Sequence, residues 1–236
     1  MTFSMRRFSA IVRKEMQDVG KNSQVLMMAA IPLVLAFIYG QMGSSNKTAL
    51  ANLTILVAVI FIGGFVQAMV IAEEKEKHTL RVLMLSPASS LDVLFGKGVI
   101  TALLTIIVSI ANLFVLDVVQ GNIGVLILLI IISAFLFIMI GTIIGLFSGT
   151  VAQTSLIGMP VLMVMLMGPM MLPLIKNETV KQIIEYLPSY HIGEAIVKLL
   201  DEKPLSNMNG DFLNIGIWFA ITLIVTLIVY KKKQLD

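Results

Sequence analysis

The chain has 236 residues, of which 58% are hydrophobic and 13% charged, and its mean hydropathy is +0.96. Soluble domains have roughly 45–50% apolar and about 25% charged residues, so this composition excludes a soluble globular protein. The formal charge of +3 is small and the basic residues lie beside apolar blocks, which argues against a nucleic-acid partner. The chain has no cysteine and therefore no disulfide or thiolate chemistry.

Residues 1–22 combine apolar and basic side chains at helical spacing. Phe8, Val12 and Met16 fall on one side of the helix, and Arg13 and Lys14 fall on the other. This pattern predicts an amphipathic helix that lies in the membrane interface. The alternative is a basic flank that only orients the first span.

The apolar residues that follow fall into blocks of roughly 20 residues, the length that a helix needs to cross a hydrocarbon core of about 30 Å. The sequence therefore predicts an all-α membrane protein, with about six transmembrane helices in a single domain over residues 1–236. The predicted spans are 24–41, 50–72, 99–116, 125–147, 153–175 and 212–230.

Small residues recur within the fourth predicted span. Gly141, Gly145 and Gly149 are spaced four residues apart. In lipid, where packing drives helix association, small residues let helix backbones approach closely. These glycines therefore predict a helix-packing surface.

The fifth predicted span and the segment after it are irregular. Prolines remove backbone hydrogen bonds and favour kinks, and this span contains Pro160, Pro169 and Pro173. Residues 176–210 are too charged to cross a membrane, yet they carry apolar faces. We expect two short helices, split near Pro188, that dip partly into the membrane as a re-entrant segment.

Lysine and arginine are unevenly distributed among the loops. They concentrate in residues 1–22, 73–97 and 231–233, whereas the turn after the first span has only Lys47 and the turn after the third has none. The lysines of residues 176–203 run against this pattern, but that segment is long and acidic residues offset them. This bias marks cytoplasmic loops. With six spans the three basic segments fall on one side, so both termini are predicted to be cytoplasmic and residues 176–210 external.

Residues 73–97 form a charged island between the second and third spans. The island combines acidic side chains with leucines and breaks at a proline; the residues of interest are Glu73, Glu74, Glu76, Thr79, Leu80, Leu83, Ser86 and Pro87. Residues 89–92 predict a helix start. A short amphipathic helix presented to a cytoplasmic partner needs both charges and leucines. A solvated hairpin between two spans is the alternative.

Catalytic patterns are absent from the sequence. The predicted topology places His78 and His191 on opposite sides of the membrane, so they cannot share a metal site or act as an acid–base pair. Gly96-Lys97 lacks the other residues of a phosphate-binding loop. We therefore expect no metal site and no ATP hydrolysis by this chain.

Few polar residues lie within the predicted spans, and none at mid-span is ionisable, which weighs against proton-driven transport. Gln67, Asn112, Gln153 and Thr154 stand out, with Asp117 at the edge of a span. The two glutamines are candidates for lining a transport pathway, and bonding to a neighbouring helix is an equal alternative. The fifth span also carries methionines, among them Met163 and Met167, whose flexible thioethers suit apolar partners of varied shape. Ordinary packing or lipid contact is the alternative for each of them.

The island resembles the first cytoplasmic loop of the type 2 ATP-binding-cassette (ABC) exporter permeases. The likeness rests on the charged cluster, Thr79-Leu80, Leu83, Ser86-Pro87 and Phe95-Gly96-Lys97. It extends over nearly the whole chain, because the basic N-terminal helix, the six spans, the proline-bearing fifth span and Tyr186-Leu187-Pro188 also match. His78 departs from the pattern, since many relatives carry glycine there.

This resemblance implies a non-catalytic permease subunit of the cell membrane that dimerises, as a homodimer or a heterodimer, and binds two copies of a separate ABC ATPase. ATP and Mg²⁺ would bind to the ATPase and not to this chain. The island residues named above would form the coupling helix that docks on the ATPase. By the same analogy, the first and fifth spans form the dimer interface, and the pathway is lined by Gln67, Gln153, Thr154, Pro160, Met163 and Met167.

The leading function is export of an amphipathic or hydrophobic cargo, such as a drug or an antimicrobial peptide. Polysaccharide or lipid-linked cargo predicts basic or aromatic residues along the path, which the sequence lacks. Sodium export is disfavoured by the lack of mid-span carboxylates. An intramembrane enzyme needs catalytic groups at one depth, and none is found. A channel or scaffold would act without an ATPase.

Overall fold

The computed structural model describes residues 19–42, 46–77 and 90–233, together with residues 9, 12, 13, 16 and 17; for 90–95, 97 and 233 it describes the backbone alone. Every secondary-structure element in these ranges is a helix. Six helices are long and apolar enough to cross a membrane, which confirms the predicted all-α fold with six candidate spans. More than half of the interfacial helix predicted over residues 1–22 lies outside the described residues.

The six spans follow one another with short connections. In chain order they are Ser23–Gln41, Lys47–Glu76, Gly98–Val115, Ile123–Phe147, Val151–Leu174 and Leu205–Lys232. The third span is the apolar part of a longer helix, Ser90–Val115. The fifth consists of an α-helix over Val151–Met171 and a 3₁₀ turn over Leu172–Leu174.

Two short helices, Glu178–Glu185 and Pro188–Leu200, lie between the fifth and sixth spans. The split near Pro188 confirms the predicted pair of helices. The second helix begins at this residue because proline is well suited to the first position of a helix. A 3₁₀ turn over Leu205–Met208 then leads into the last helix, Asn209–Lys233.

Polar side chains determine where several helices begin. The first N–H groups of a helix have no partner within it, and an asparagine or threonine oxygen satisfies one or two of them. The residues that cap helices in this way are Asn22, Asn46, Asn122, Thr150 and Asn177. The four caps that precede spans therefore fix the starts of the first, second, fourth and fifth spans.

The second span is the centre of the bundle. In its most apolar 18-residue window 94% of the residues are buried, compared with 22% in the first span, 22% in the fifth and 17% in the sixth. It packs extensively against the fourth span, which also packs against the sixth. The first, fifth and sixth spans therefore leave most of their apolar surface open to lipid or to another protein.

The middle of the second span is π-helical. The segment Ala58–Val66 has π-helical hydrogen bonding, between α-helical segments over Lys47–Val57 and Gln67–Glu76. Such wide turns are rare and are frequently found at functional sites. The sequence prediction of a regular helix over 50–72 missed this segment and placed both ends of the span too far inward.

Contacts between turns identify one end of the bundle. Lys47, at the start of the second span, lies 3.7 Å from the carboxylate of Asp117, which follows the third span. Gln120 donates a hydrogen bond to the carbonyl of Leu200, at the end of the second short helix, at 3.2 Å. The first turn, the turn after the third span and the end of Pro188–Leu200 therefore lie together.

Candidate functional site

The charged end of the second span is helical up to Glu76, beyond the predicted apolar limit at residue 72. Lys77 donates to the Glu73 carboxylate at 2.5 Å, four residues back along the helix, and such pairs stabilise helical turns. Glu74 is only 7% exposed. The predicted coupling residues Glu73, Glu74 and Glu76 therefore occupy the last turn of a well-supported helix.

Two residues of this turn contact the connection between the fourth and fifth spans. Lys75 Nζ donates to the carbonyl of Leu146 at 2.8 Å and to that of Ser148 at 3.0 Å. The N–H of Val151, the first residue of the fifth span, donates to Glu76 Oε2 at 2.9 Å. The charged end of the second span therefore holds both ends of this connection.

The rest of the predicted coupling set lies outside the described residues: Thr79, Leu80, Leu83, Ser86 and Pro87. The next described helix is Ser90–Val115, and the helix start predicted at residues 89–92 falls at the edge of the described residues. Described helices therefore lie on both sides of the segment 78–89.

Six spans with a charged segment between the second and the third are the arrangement that the sequence resemblance implies. The sequence model described as ABC-2 family transporter protein matches residues 8–231. This chain belongs to the ABC-2 transporter family. No curated protein matches it significantly. An ABC-2 permease is a non-catalytic, multi-pass membrane subunit that generally pairs with an ABC ATPase.

In this ABC-2 permease, the side chain of Gln67 on the second span bonds to the third and the fourth spans. Thr101 Oγ1 donates to Gln67 Oε1 at 2.8 Å, and Gln67 Nε2 donates to Thr142 Oγ1 at 3.2 Å. All three side chains are at most 3% exposed. Within one subunit Gln67 therefore bonds to neighbouring helices, as one of the two sequence-based alternatives states, and its pathway role stays a prediction.

A buried polar seam continues along the third span of the permease. Thr101, Thr105, Ser109 and Asn112 repeat every three or four residues, so they share one helix face. Asn112 Nδ2 donates to the carbonyl of Thr54 on the second span at 3.2 Å. Among the described residues Ser109 Oγ and Asn112 Oδ1 have no hydrogen-bond partner. The threonines and Ser109 were not predicted, and their helical spacing is the signal that would have found them.

The predicted lining residues of the fifth span fall into two groups. Gln153 Oε1 accepts from the N–H of Gly149 at 2.6 Å, and Thr154 Oγ1 donates to the Thr150 carbonyl at 3.1 Å, so both bond near the start of the helix. Met163 and Met167 are 42% and 45% exposed and lie four residues apart. Pro160 is also exposed. These three residues therefore lie on the surface of the subunit.

The glycines of the fourth span differ in their surroundings. A Cβ at Gly141 would lie 2.1 Å from the carbonyl oxygen of Gly64, and one at Gly145 would lie 2.6 Å from that of Ala68. At these two positions glycine permits close contact with the second span. Gly149 lies beyond the end of the helix at Phe147, and its nearest neighbour is the Gln153 side chain. Its place is therefore in a turn and not in a contact between helices.

An ion-pair network joins the helix Pro188–Leu200 to the last span, and no pattern in the sequence indicated it. Asp211 is 6% exposed and lies 2.8 Å from His191 Nδ1. Lys198 Nζ donates to the other Asp211 oxygen at 2.8 Å. This hydrogen bond is the main reason why the pKa of Lys198 is raised above its ordinary value. The network therefore ties the second short helix to the sixth span.

No group of three or more His, Asp or Glu side chains suited to a metal ion occurs in the parts of the chain that the structure describes. His191 is engaged with Asp211, and His78 lies outside the described residues. Nothing at the described site therefore suggests catalytic chemistry by the permease itself.

Proposed function

We propose that this ABC-2 permease is the membrane subunit of an ATP-dependent exporter that moves an amphipathic or hydrophobic cargo, such as a drug or an antimicrobial peptide, out of the cell. The observation that carries the proposal is the charged helical end Gln67–Glu76, which leads directly into residues 78–89. A helix that continues past the apolar part of its span would hold the following segment in a defined position, where an ATPase can bind it.

The proposed topology places both termini and residues 73–97 in the cytoplasm, and residues 176–210 outside as a re-entrant segment. The contacts of Lys47 with Asp117 and of Gln120 with Leu200 support one external end. The contacts of Lys75 and Glu76 with the connection between the fourth and fifth spans support the opposite end. The lysine and arginine bias assigns this second end to the cytoplasm.

The proposed assembly contains two permease copies, identical or related, and two ABC ATPase subunits, which bind ATP and Mg²⁺. The largely open apolar surfaces of the first and fifth spans, each 22% buried in its most apolar window, support a permease–permease interface there. Residues 1–22 would lie in the membrane interface beside the first span.

The cargo proposal rests on the fifth span. Met163 and Met167 expose flexible apolar side chains on one face of this helix, and a face of this kind accepts apolar groups of different shapes. Pairing two copies through neighbouring surfaces would place these methionines beside a path between the subunits.

The proposal is tested by co-expressing the tagged permease with a candidate ABC ATPase from the same organism and asking whether the two co-elute after detergent extraction. We expect co-elution, and we expect Leu80→Asp with Leu83→Asp to abolish it, because two carboxylates would remove the apolar side of the predicted coupling helix. Leu205→Asp is the matched control, since Leu205 is 43% exposed and lies in the turn that begins the sixth span, at the proposed external end of the bundle.

Elution of the wild-type permease without the ATPase would contradict the exporter proposal and favour a channel or scaffold. Co-elution that survives the double leucine change would leave the exporter proposal standing but would contradict the assignment of these leucines to docking.

A further inference from the structure

The connection between the fourth and fifth spans is short and is held from both sides by the second span. The fourth span ends at Phe147 and the fifth begins at Val151. Only residues 148–150 separate the two helices. Any displacement of this connection is therefore a displacement of the helix ends themselves.

Lys75 lies at the C-terminal end of the fourth span. The last carbonyl groups of a helix have no partner within it and carry the negative end of the helix dipole. Lys75 Nζ donates to two carbonyls at this end, those of Leu146 and Ser148. Ser148 is fully buried, so this contact is shielded from water on one side. The positive charge of Lys75 therefore complements the negative end of this helix dipole.

Glu76 lies at the N-terminal end of the fifth span. The first N–H groups of a helix carry the positive end of its dipole. The Val151 N–H donates to Glu76 Oε2, while Thr150 Oγ1 accepts from the N–H of Gln153. Hydrogen bonds to ionised groups are roughly twice as strong as neutral ones. Two adjacent residues of opposite charge therefore match two adjacent helix ends of opposite polarity.

We propose that Lys75 and Glu76 form a transmission clamp, which passes movement of residues 78–89 to the fifth span. This inference rests on the proposed function. The clamp residues end the helix Gln67–Glu76, and one residue, Lys77, separates them from the proposed coupling segment. The clamp ends on Val151, at the start of the span that carries Met163 and Met167. Coupling between distant sites is carried by rigid elements and hydrogen-bond networks of this kind.

The clamp changes the role of Glu76. The resemblance implies that Glu76 docks on the ATPase, whereas its carboxylate bonds within the permease. Glu76 and Lys75 are then positioning residues: their loss should leave the ATPase bound but should disconnect it from the fifth span.

The natural absence of cysteine permits a single-cysteine reporter. Ala152→Cys places a thiol at an exposed position in the first turn of the fifth span. The purified complex with the ABC ATPase is labelled with a membrane-impermeant maleimide, with and without trapping by ATP and vanadate. We expect trapping to change the labelling rate, and we expect Lys75→Met with Glu76→Ala to make the two rates equal while the ATPase still co-elutes.

Controls separate the clamp from general effects of charge and folding. Lys77→Met removes the neighbouring cation, and Lys75→Arg keeps a donor at the clamp; both should retain the difference in rate. Glu76→Ala alone tests the same point in case the double variant does not fold, because Glu76 is exposed and its loss leaves no buried gap.

Each other outcome is decisive. A double variant that keeps the difference in rate would contradict the clamp but leave the exporter proposal intact, and so would an Ala152→Cys reporter, with the clamp unchanged, whose labelling rate does not respond to trapping. A double variant that loses co-elution would show that the pair docks on the ATPase. A wild-type permease that does not bind the ATPase would overturn the exporter proposal and the clamp together.

Discussion

Replacing Gly141 with alanine should strongly destabilise the permease, because it adds a methyl group where two helix backbones touch. The new Cβ would lie 2.1 Å from the Gly64 carbonyl oxygen and 2.9 Å from the carbonyl carbon. These are backbone atoms, which cannot rotate away. To reach an ordinary contact of 3.4 Å, the fourth span must move from the second by about 1.3 Å.

The cost has two parts. Overpacking of a close contact costs about 1–3 kcal/mol. Moving the helices apart also strains the hydrogen bond from Gln67 to Thr142, which follows Gly141 directly and is already 3.2 Å long. Leaving a buried polar group unpaired costs a further ~1–3 kcal/mol. Together these give about 2–6 kcal/mol, and each kcal/mol lowers the melting temperature of a chain of this size by roughly 2–4 °C.

The assay is the melting temperature of detergent-purified protein, followed by the loss of the monodisperse peak in size-exclusion chromatography. Gly141→Ala should melt at least about 4 °C below the wild type. Gly124→Ala is the matched control in the same helix, because its Cβ would meet only Asn122 Oδ1, at 3.7 Å. Equal melting temperatures for the two variants would refute the packing argument.

Two further predictions concern buried polar groups. Thr101→Val should lower the free energy of unfolding by about 1–3 kcal/mol, because it leaves Gln67 Oε1 without its donor, whereas exposed Thr179→Val should have little effect in the same melting assay. Asp211→Asn should lower the melting temperature at pH 7. The difference in melting temperature between this variant and the wild type should become smaller above pH 10.5. The reason is that a raised Lys198 pKa stabilises the fold below the ordinary value of 10.5, and this part is lost as the pH rises through the folded-state pKa.

These two predictions have clear contrary results. Thr101→Val and Thr179→Val variants that melt at the same temperature would contradict the importance of the Gln67 network. A deficit for Asp211→Asn that stays constant up to pH 11 or grows there would contradict the contribution of the charged Lys198.

The spans were predictable because their signal is compositional. An apolar block bounded by turn residues identifies a span, and the first span, predicted at 24–41, is found at Ser23–Gln41. The sequence prediction ended the second span at residue 72 and left out its charged end. Hydropathy identifies residues that are apolar enough for the bilayer, but it does not show where the helix ends. Hydrogen bonds from Lys75 and to Glu76 support that extension, and such partners are invisible in a linear sequence.

The buried details were not predictable for a related reason. Gly141 and Gly145 lie close to the backbone of the second span, whereas Gly149 has the same four-residue spacing but falls after the helix end. Asp211 and Lys198 are thirteen residues apart in separate helices, so their pairing depends on tertiary structure. The coupling leucines lie outside the described residues and stay predictions.

The π-helical segment Ala58–Val66 also governs the rotational phase of the second span. An α-helix turns roughly 100° per residue, so Thr101 and Asn112 on the third span point in nearly the same direction, within about 20°. Their partners Thr54 and Gln67 are thirteen residues apart, and in an uninterrupted α-helix they would lie about 140° apart around the helix axis. A π-helix has more residues per turn and rotates less per residue, which brings both partners to the same side.

The same unwinding sets the direction of every side chain that follows. Lys75 and Glu76 reach the connection between the fourth and fifth spans only because the helix arrives there with this phase. Deleting one residue from the π-helical segment would rotate the charged end of the span away from that connection. A π-helical segment within the span thus determines which charged side chains reach the connection between the fourth and fifth spans.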